Sequence, residues 1–430
     1  MQARINTTFQ SLRVRNYRLF FTGQLISLIG WWMQVIGQDW LVLGLTDDSA
    51  TALGTVTALQ FAPVLLFSLY GGKLADRYDK RKLLLVANTL AMVLALSMGV
   101  LILSGGVTLG AIYVFAFLLG LISAMETPVR QAFVSELVSA SLLPNAISLN
   151  AAAFNTARIV GPAVAGLAVA AFGVGPVFLL NGLSYVGAIA GLWLMRPAEL
   201  FREGLSLTKG GPRPRIIDGL RYVARRPDLS LPITLVFVIG LLAFNFQLTL
   251  ALVAKTVFQT GAARFGLLTT ALAIGALGGA LASSQRRSRP TSATVLGAAA
   301  IFGLLQIAVG FAPSFAIMIV LLLPTGFFMV YFAQASNQRV QLGTEPALRG
   351  RVMSLYVMVF LGTTPIGSLI VGWLASTFGP RAGIWVGGLA ALLAAGLAFT
   401  YRCWRRDLRV HVHLHPVRMH VGPAQKPCVS

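Results

Sequence analysis

Acidic residues, histidines and cysteines are all scarce in this chain of 430 residues. It has 13 Asp and Glu against 34 Lys and Arg, and only 11% of its residues are charged. An ordinary soluble domain carries roughly 25%, so a soluble globular protein is excluded. The two cysteines, Cys403 and Cys428, both fall in the last stretch, which leaves no disulfide framework to build. His411, His413, His415 and His420 share that stretch, so nothing upstream supports histidine-dependent chemistry. Their alternation on an exposed tail is poorly organised for a metal, and neither metal nor cofactor is expected. No HExxH or GxSxG set occurs, which argues against a membrane-embedded enzyme. Gly71-Gly72-Lys73 is not a phosphate loop, because Phe67 stands where its first glycine belongs and Leu74 follows the lysine.

Apolar sequence is what the chain has in quantity: 56% of residues are hydrophobic and the mean hydropathy is +0.77. A membrane span needs about 20 apolar residues. Twelve runs qualify, at 17–44, 52–72, 83–103, 108–128, 146–170, 174–195, 230–254, 263–283, 292–311, 313–335, 352–374 and 380–400. The expected fold is an all-α membrane protein with 12 transmembrane helices. With the N-terminus inside, cytoplasmic segments hold 30 of the 34 Lys and Arg, the outward loops hold Lys255, Arg264 and Arg381, and Arg158 lies within a span. This asymmetry predicts cytoplasmic termini in a bacterial inner membrane. It makes the net charge of +21 a topology signal with membrane lipids as partners, not a nucleic-acid footprint. The first apolar run is too long for a signal peptide, so the first helix is expected to be retained.

The longest polar stretch, 196–229, reads as a cytoplasmic linker, with a short surface helix over about 215–225. It divides an N-terminal six-helix bundle (1–195) from a C-terminal one (230–401), followed by a tail (402–430) expected to be disordered. The halves repeat. A shift of 206 residues lays Gly120 on Gly326, Val134 on Val340, Ser148-Leu149 on Ser354-Leu355, Gly166 on Gly372 and Phe172-Gly173 on Phe378-Gly379.

Between the second and third runs lies a dense charged turn, Gly72-Lys-Leu-Ala-Asp76-Arg77-Tyr-Asp79-Lys80-Arg81-Lys82. The pattern resembles the loop 2–3 signature of the major facilitator superfamily. Gly161-Pro162 inside the fifth run, with Gly166 one turn on, resembles the helix 5 signature of its antiporters, although Ala165 stands where a second glycine is often found. Pro128-x-Arg130-Gln131-Ala132, Asn155-x-x-Arg158 and Gly350-Arg351-Val352 are similar to the drug:proton antiporter group that includes macrolide-efflux proteins and the enterobactin exporter. The resemblance spans residues 10–402. It implies two pseudo-symmetric six-helix bundles with substrate held between them near the midplane. It also implies a monomeric, proton-coupled exporter of a small amphipathic molecule such as a drug, macrolide or siderophore, working by alternating access. An uptake symporter or facilitator is the alternative on the same fold, and a non-transporting sensor is less favoured. Within the loop motif (Gly72, Asp76, Arg77, Arg81) the resemblance implies a conformational role. Asp76 would face the start of helix 11 near Gly350–Met353, with Arg77 held by nearby acids, Glu136 among them.

Apart from Arg18, Arg264 and Arg381, each the second residue of its run, only Asp39, Glu126 and Arg158 are charged inside the expected spans, and each costs a few kcal/mol there unless paired or wetted. They are the candidates for proton coupling and substrate contact. Arg158, the deepest, suits an acidic substrate group or a carboxylate that changes protonation, and otherwise a structural tie between helices. Helix 4 lacks the arginine of many proton-coupled exporters, so coupling falls to these three. Gly161, Pro162 and Gly166 are expected to bend helix 5. Gln34, Gln38, Asn155, Asn245, Gln247, Gln334 and Asn337 are candidate cavity-lining amides.

Overall fold

The computed structural model describes residues 9–201, 216–286, 288–345, 348–405, 408–414 and 417–423. Twelve of its helices are long and apolar enough to span a membrane. They are α1 (Arg15–Leu45), α2 (Ala50–Arg77), α3 (Lys80–Leu103), α4 (Leu109–Leu137), α5 (Leu143–Phe172), α6 (Val174–Trp193), α7 (Pro227–Leu242, resuming over Phe246–Leu252), α8 (Ala262–Ser284), α9 (Ser292–Gly310), α10 (Phe315–Gly343), α11 (Arg349–Phe378) and α12 (Ala382–Arg405). Helices arise because a backbone without water must satisfy its own hydrogen bonds. Their starts are marked where the sequence offers an oxygen: Ser49, Asp79, Thr108, Thr291 and Ser314 each accept from a backbone N–H three residues on. The surface helix of the linker is Ile216–Ala224.

Two boundaries differ from expectation. Several helices on the side bearing the chain termini outrun the apolar sequence, α4 reaching Leu137 and α10 reaching Gly343. Hydropathy marks where hydrocarbon ends, whereas a helix continues while its polar turns find partners. Arg130, Glu136 and Arg339 therefore also lie on long helices. The tail, expected to be disordered, pairs Leu408–Leu414 with Val417–Pro423 as an antiparallel hairpin, in keeping with its alternation of apolar and polar residues.

The repeat read from the sequence reappears in the packing. Gly173 and Gly379 end α5 and α11 with φ of 81° and 92°, a left-handed conformation open to glycine. On the side away from the termini, the halves meet through one contact made twice. In α2, Gly54 lies so close to α11 that a Cβ there would stand 2.5 Å from the Ser368 carbonyl oxygen, and Gly372 packs on Ala50. In α8, Gly266 lies against the Pro162 carbonyl of α5, and Gly166 packs on Ala262. Pro162 and Gly166 map onto Ser368 and Gly372 by the same 206-residue shift. Ser368 Oγ donates to the Gly54 carbonyl at 3.0 Å. The Lys255 ammonium meets Asp48 at 2.6 Å across the halves, and Trp40 stacks on Phe265. This seam closes the far side.

Candidate functional site

Below the seam, towards the termini, a cavity of about 410 Å³ lies between the bundles. Each of α1, α2, α5, α7, α8, α10 and α11 contributes to its wall. Its far end is reached within two helical turns of the glycine contacts: Gln60 follows Gly54 by six residues, about 9 Å, and Arg158 precedes Pro162 by one turn.

One wall is a broken helix. The seventh span was expected to be continuous over 230–254, but its α-helix stops at Leu242 and restarts at Phe246. Asn245 holds φ −88°, ψ 36° at the restart, and its Nδ2 donates back to the Leu241 carbonyl at 3.0 Å. The freed carbonyl of Ala243 accepts from Gln306 Nε2 of α9 at 3.1 Å. Gly367 of α11 and Gly387 of α12 admit the displaced backbone, since a Cβ on either would strike Leu241 or Leu242. Irregular backbone at membrane depth is tolerated where protein buries it or it borders a cavity. Here it does both, and turns Phe244, Asn245, Phe246 and Gln247 inward. Replacing Gln306 with leucine should orphan the Ala243 carbonyl. We expect a destabilisation of about 1–3 kcal/mol, read as a lower unfolding temperature of the purified protein in detergent.

Asp39 and Arg158 both line this cavity. Asp39 is only 3% exposed and accepts from Gln247 Nε2 at 3.0 Å, a hydrogen bond from α7 to α1 and so between the bundles. No ion pair to Asp39 forms among the described residues. Arg158 is half-buried, its guanidinium 5.9 Å from the Trp32 ring centroid, in cation–π range. Trp31, Trp32 and Phe154 form a run of edge-to-face rings beside it. The arrangement offers one cation beside flat apolar faces and one buried carboxyl group held by an amide.

Glu126 does not join them. It pairs with Arg130 one turn along α4, at 2.8 Å, and is absent from the cavity wall. Of the seven expected lining amides, Asn245 and Gln247 line the cavity. Gln34 instead accepts from Asn181 of α6, and Gln38 donates to Gln60 of α2 at 3.0 Å, so both tie helices within the first bundle. Asn155 turns back to the Ala151 carbonyl, while Gln334 is exposed and Asn337 half-buried on α10, outside the wall. Gln60 was missed although it lines the cavity. Its signal is weak: it is one uncharged amide in a helix whose first turns already carry Thr51, Thr55 and Thr57. Gly161 packs on Trp32 and Ile29 of α1, and Gly166 serves the seam, so close approach is what both glycines supply. Pro162 sits within a helix that continues through it.

The charged turn lies on the terminus-bearing side. Asp76 and Arg77 are exposed, Arg77 resting over the Tyr78 ring, and α11 begins at Arg349 with no side chain capping it. The expected apposition of Asp76 with α11 is not made in this state. Nor does Arg77 hold Glu136, whose carboxylate pairs with Lys80 at 2.6 Å. Arg81 donates to the Leu192 and Trp193 carbonyls, fixing α3 to the end of α6. Asp79, where this motif usually carries glycine, caps α3 through Lys82 N–H at 3.0 Å.

The profile of a family described as transmembrane secretion effector matches residues 6–420. The chain is 27% identical over 364 residues to the staphyloferrin A transporter of Staphylococcus aureus, an alignment covering 84% of this chain and 90% of that protein. It is 25% identical to the multidrug efflux pump Tap of Mycobacterium tuberculosis, over 85% of this chain and 88% of the relative. In fold it is similar to a bacterial homologue of the human lysosomal transporter Spinster in an inward-facing, unoccupied conformation, with a TM-score of 0.68, 15% identity, and coverage of 92% and 98% of the two chains. A bacterial homologue of the iron transporter ferroportin in an inward-facing state gives a TM-score of 0.68 at 17% identity, over 91% and 98%.

Proposed function

Because the chain belongs to the transmembrane secretion effector family, within the major facilitator superfamily, we propose that it is a proton-coupled exporter of a small amphipathic molecule. It would act as a monomer in a bacterial inner membrane with both termini in the cytoplasm, which makes the closed far side the outer one. The observation that carries this reading is the Asp39–Gln247 hydrogen bond: the one carboxyl group in the cavity wall is also a bridge between the two bundles. Proton binding there neutralises a charge held out of water. It also turns a charge-assisted hydrogen bond into a weaker neutral one. Occupancy by a proton and the relation of the bundles are thereby linked.

Arg158 would receive an acidic group of the substrate, with Trp31, Trp32 and Phe154 against its apolar part. The relatives named for staphyloferrin A transport and for multidrug efflux are compatible with such cargo. In the opposite, outward-open state, Asp76 would reach the uncapped start of α11 and gain ~0.3–1 kcal/mol from the helix dipole. Gly161, Pro162 and Gly166 would let α5 change its tilt against α1 and α8. Glu126 has no part in coupling.

The test is proton movement in everted vesicles on addition of candidate acidic amphipathic compounds. Substrate accumulation should release lumenal protons, and Asp39→Asn should reduce that flux to the level of vesicles lacking the protein. The same variant should still exchange labelled substrate across proteoliposomes. Protons travelling in the same direction as substrate would establish an uptake symporter instead.

A further inference from the structure

A second cavity, of about 830 Å³, lies on the terminus-bearing side of the C-terminal bundle between α7, α9 and α12. It shares no residue with the central one. Two helix stripes form its length: Leu231, Leu235 and Val238 on α7 face Ala390, Ala394 and Leu397 on α12. From Ala390 to Arg402 the α12 stripe runs twelve residue steps, or about 18 Å. Half of a ~30 Å hydrocarbon core is about 15 Å. The groove is thus as long as one leaflet is thick. It opens to the perimeter, where Leu397 is 69% exposed and Tyr401 52% exposed.

Its mouth is built and basic. Asp228 accepts from Arg226 at 2.9 and 3.1 Å and from Arg289 at 2.9 Å. Arg289 also donates to the Arg339 carbonyl, and Arg339 to the Pro290 carbonyl at 2.7 Å. Arg339 and Arg402 line the opening beside Asp228. Arg226 also donates to the Tyr222 hydroxyl, which donates on to Glu345, so among the described residues four guanidinium groups stand against two carboxylates at the terminus-side end of the groove. Tyr401 adds an amphipathic ring at that depth, a common membrane-interface placement.

We propose that this groove is a binding site for one anionic phospholipid, an acyl chain lying between α7 and α12 and the phosphate resting on the arginine rim. Length selects an acyl chain, and the charge surplus selects an anionic headgroup over a zwitterionic one. The site is separate from the transport cavity, and its test does not depend on what is transported.

Native mass spectrometry of the purified full chain decides it, with dioleoylphosphatidylglycerol and dioleoylphosphatidylcholine as probes. The phosphatidylglycerol adduct should survive detergent exchange in clear excess over phosphatidylcholine. Arg402→Gln should cut that excess about fivefold. Ala394→Trp, which fills the groove and leaves the rim intact, should remove the adduct. Arg264→Gln, an equal loss of charge on the far side, should leave it unchanged. Circular dichroism and elution as a single species would establish that the variants are folded. Equal retention of the two lipids, retention unaltered by Arg402→Gln and Ala394→Trp, or displacement of the lipid by excess inorganic phosphate would each overturn the assignment.

Discussion

Arg158→Ala is expected to weaken binding of acidic amphipathic substrates about 10–100-fold, with neutral compounds little affected. The cation lines a cavity whose neighbouring surface is aromatic, and its guanidinium forms no ion pair with any described carboxylate. A hydrogen bond to a charged group is worth roughly 1.5–3 kcal/mol, and each 1.4 kcal/mol is tenfold in affinity. Arg158→Lys should recover part of the loss, because an ammonium keeps the charge without the planar two-pronged grip on a carboxylate. Quenching of the tryptophan fluorescence, with Trp31 and Trp32 at the site, gives the readout across a panel of carboxylates and uncharged analogues. Equal losses for acidic and neutral compounds would show that the arginine shapes the cavity and does not choose its occupant.

Gly54→Leu should abolish net transport by preventing closure of the side away from the termini. The Cβ alone would stand 2.5 Å from a backbone oxygen of α11, within the seam that closes that side here. Overpacking costs about 1–3 kcal/mol. Charged against one state of a two-state carrier, it shifts the populations by about 5–150-fold. Gly266→Leu should do the same through α5, whose Pro162 carbonyl lies against it. Spin labels at Asp47 and Gln259, exposed positions at the ends of the two bundles away from the termini, should report longer separations in either variant than in the parent. Unchanged distance distributions would mean that the seam yields by local repacking.

The spans were legible because each is a run of apolar residues between charged or glycine-containing turns, and the pairing of the halves because Gly166/Gly372 and Gly173/Gly379 recur at one interval. Asp39 and Arg158 were legible for the converse reason: a charge inside such a run is costly enough to need a use. Amides carry no such signal. Gln34 and Gln247 look alike in sequence, yet one is consumed by Asn181 and the other reaches Asp39, a distinction made by neighbours 147 and 208 residues away. The break in α7 was illegible because Ala243-Phe244-Asn245 contains neither proline nor glycine. What sustains it is a glutamine on α9 and glycines on α11 and α12. The task of Asp79 shows only in its position at the start of α3, where its side chain caps the helix.

The doubled glycine contact is an isologous interface within one chain: surface A of the first half meets surface B of the second, and B of the first meets A of the second. In a homodimer that relation is imposed by a two-fold axis. In a fused duplication it survives only while both copies keep their fit. Neither half can shed its share unilaterally, so drift at Gly54 or Gly372 has to be answered by compensation on the facing helix. The two pairs should therefore evolve as separate couples, each free to change its residues together.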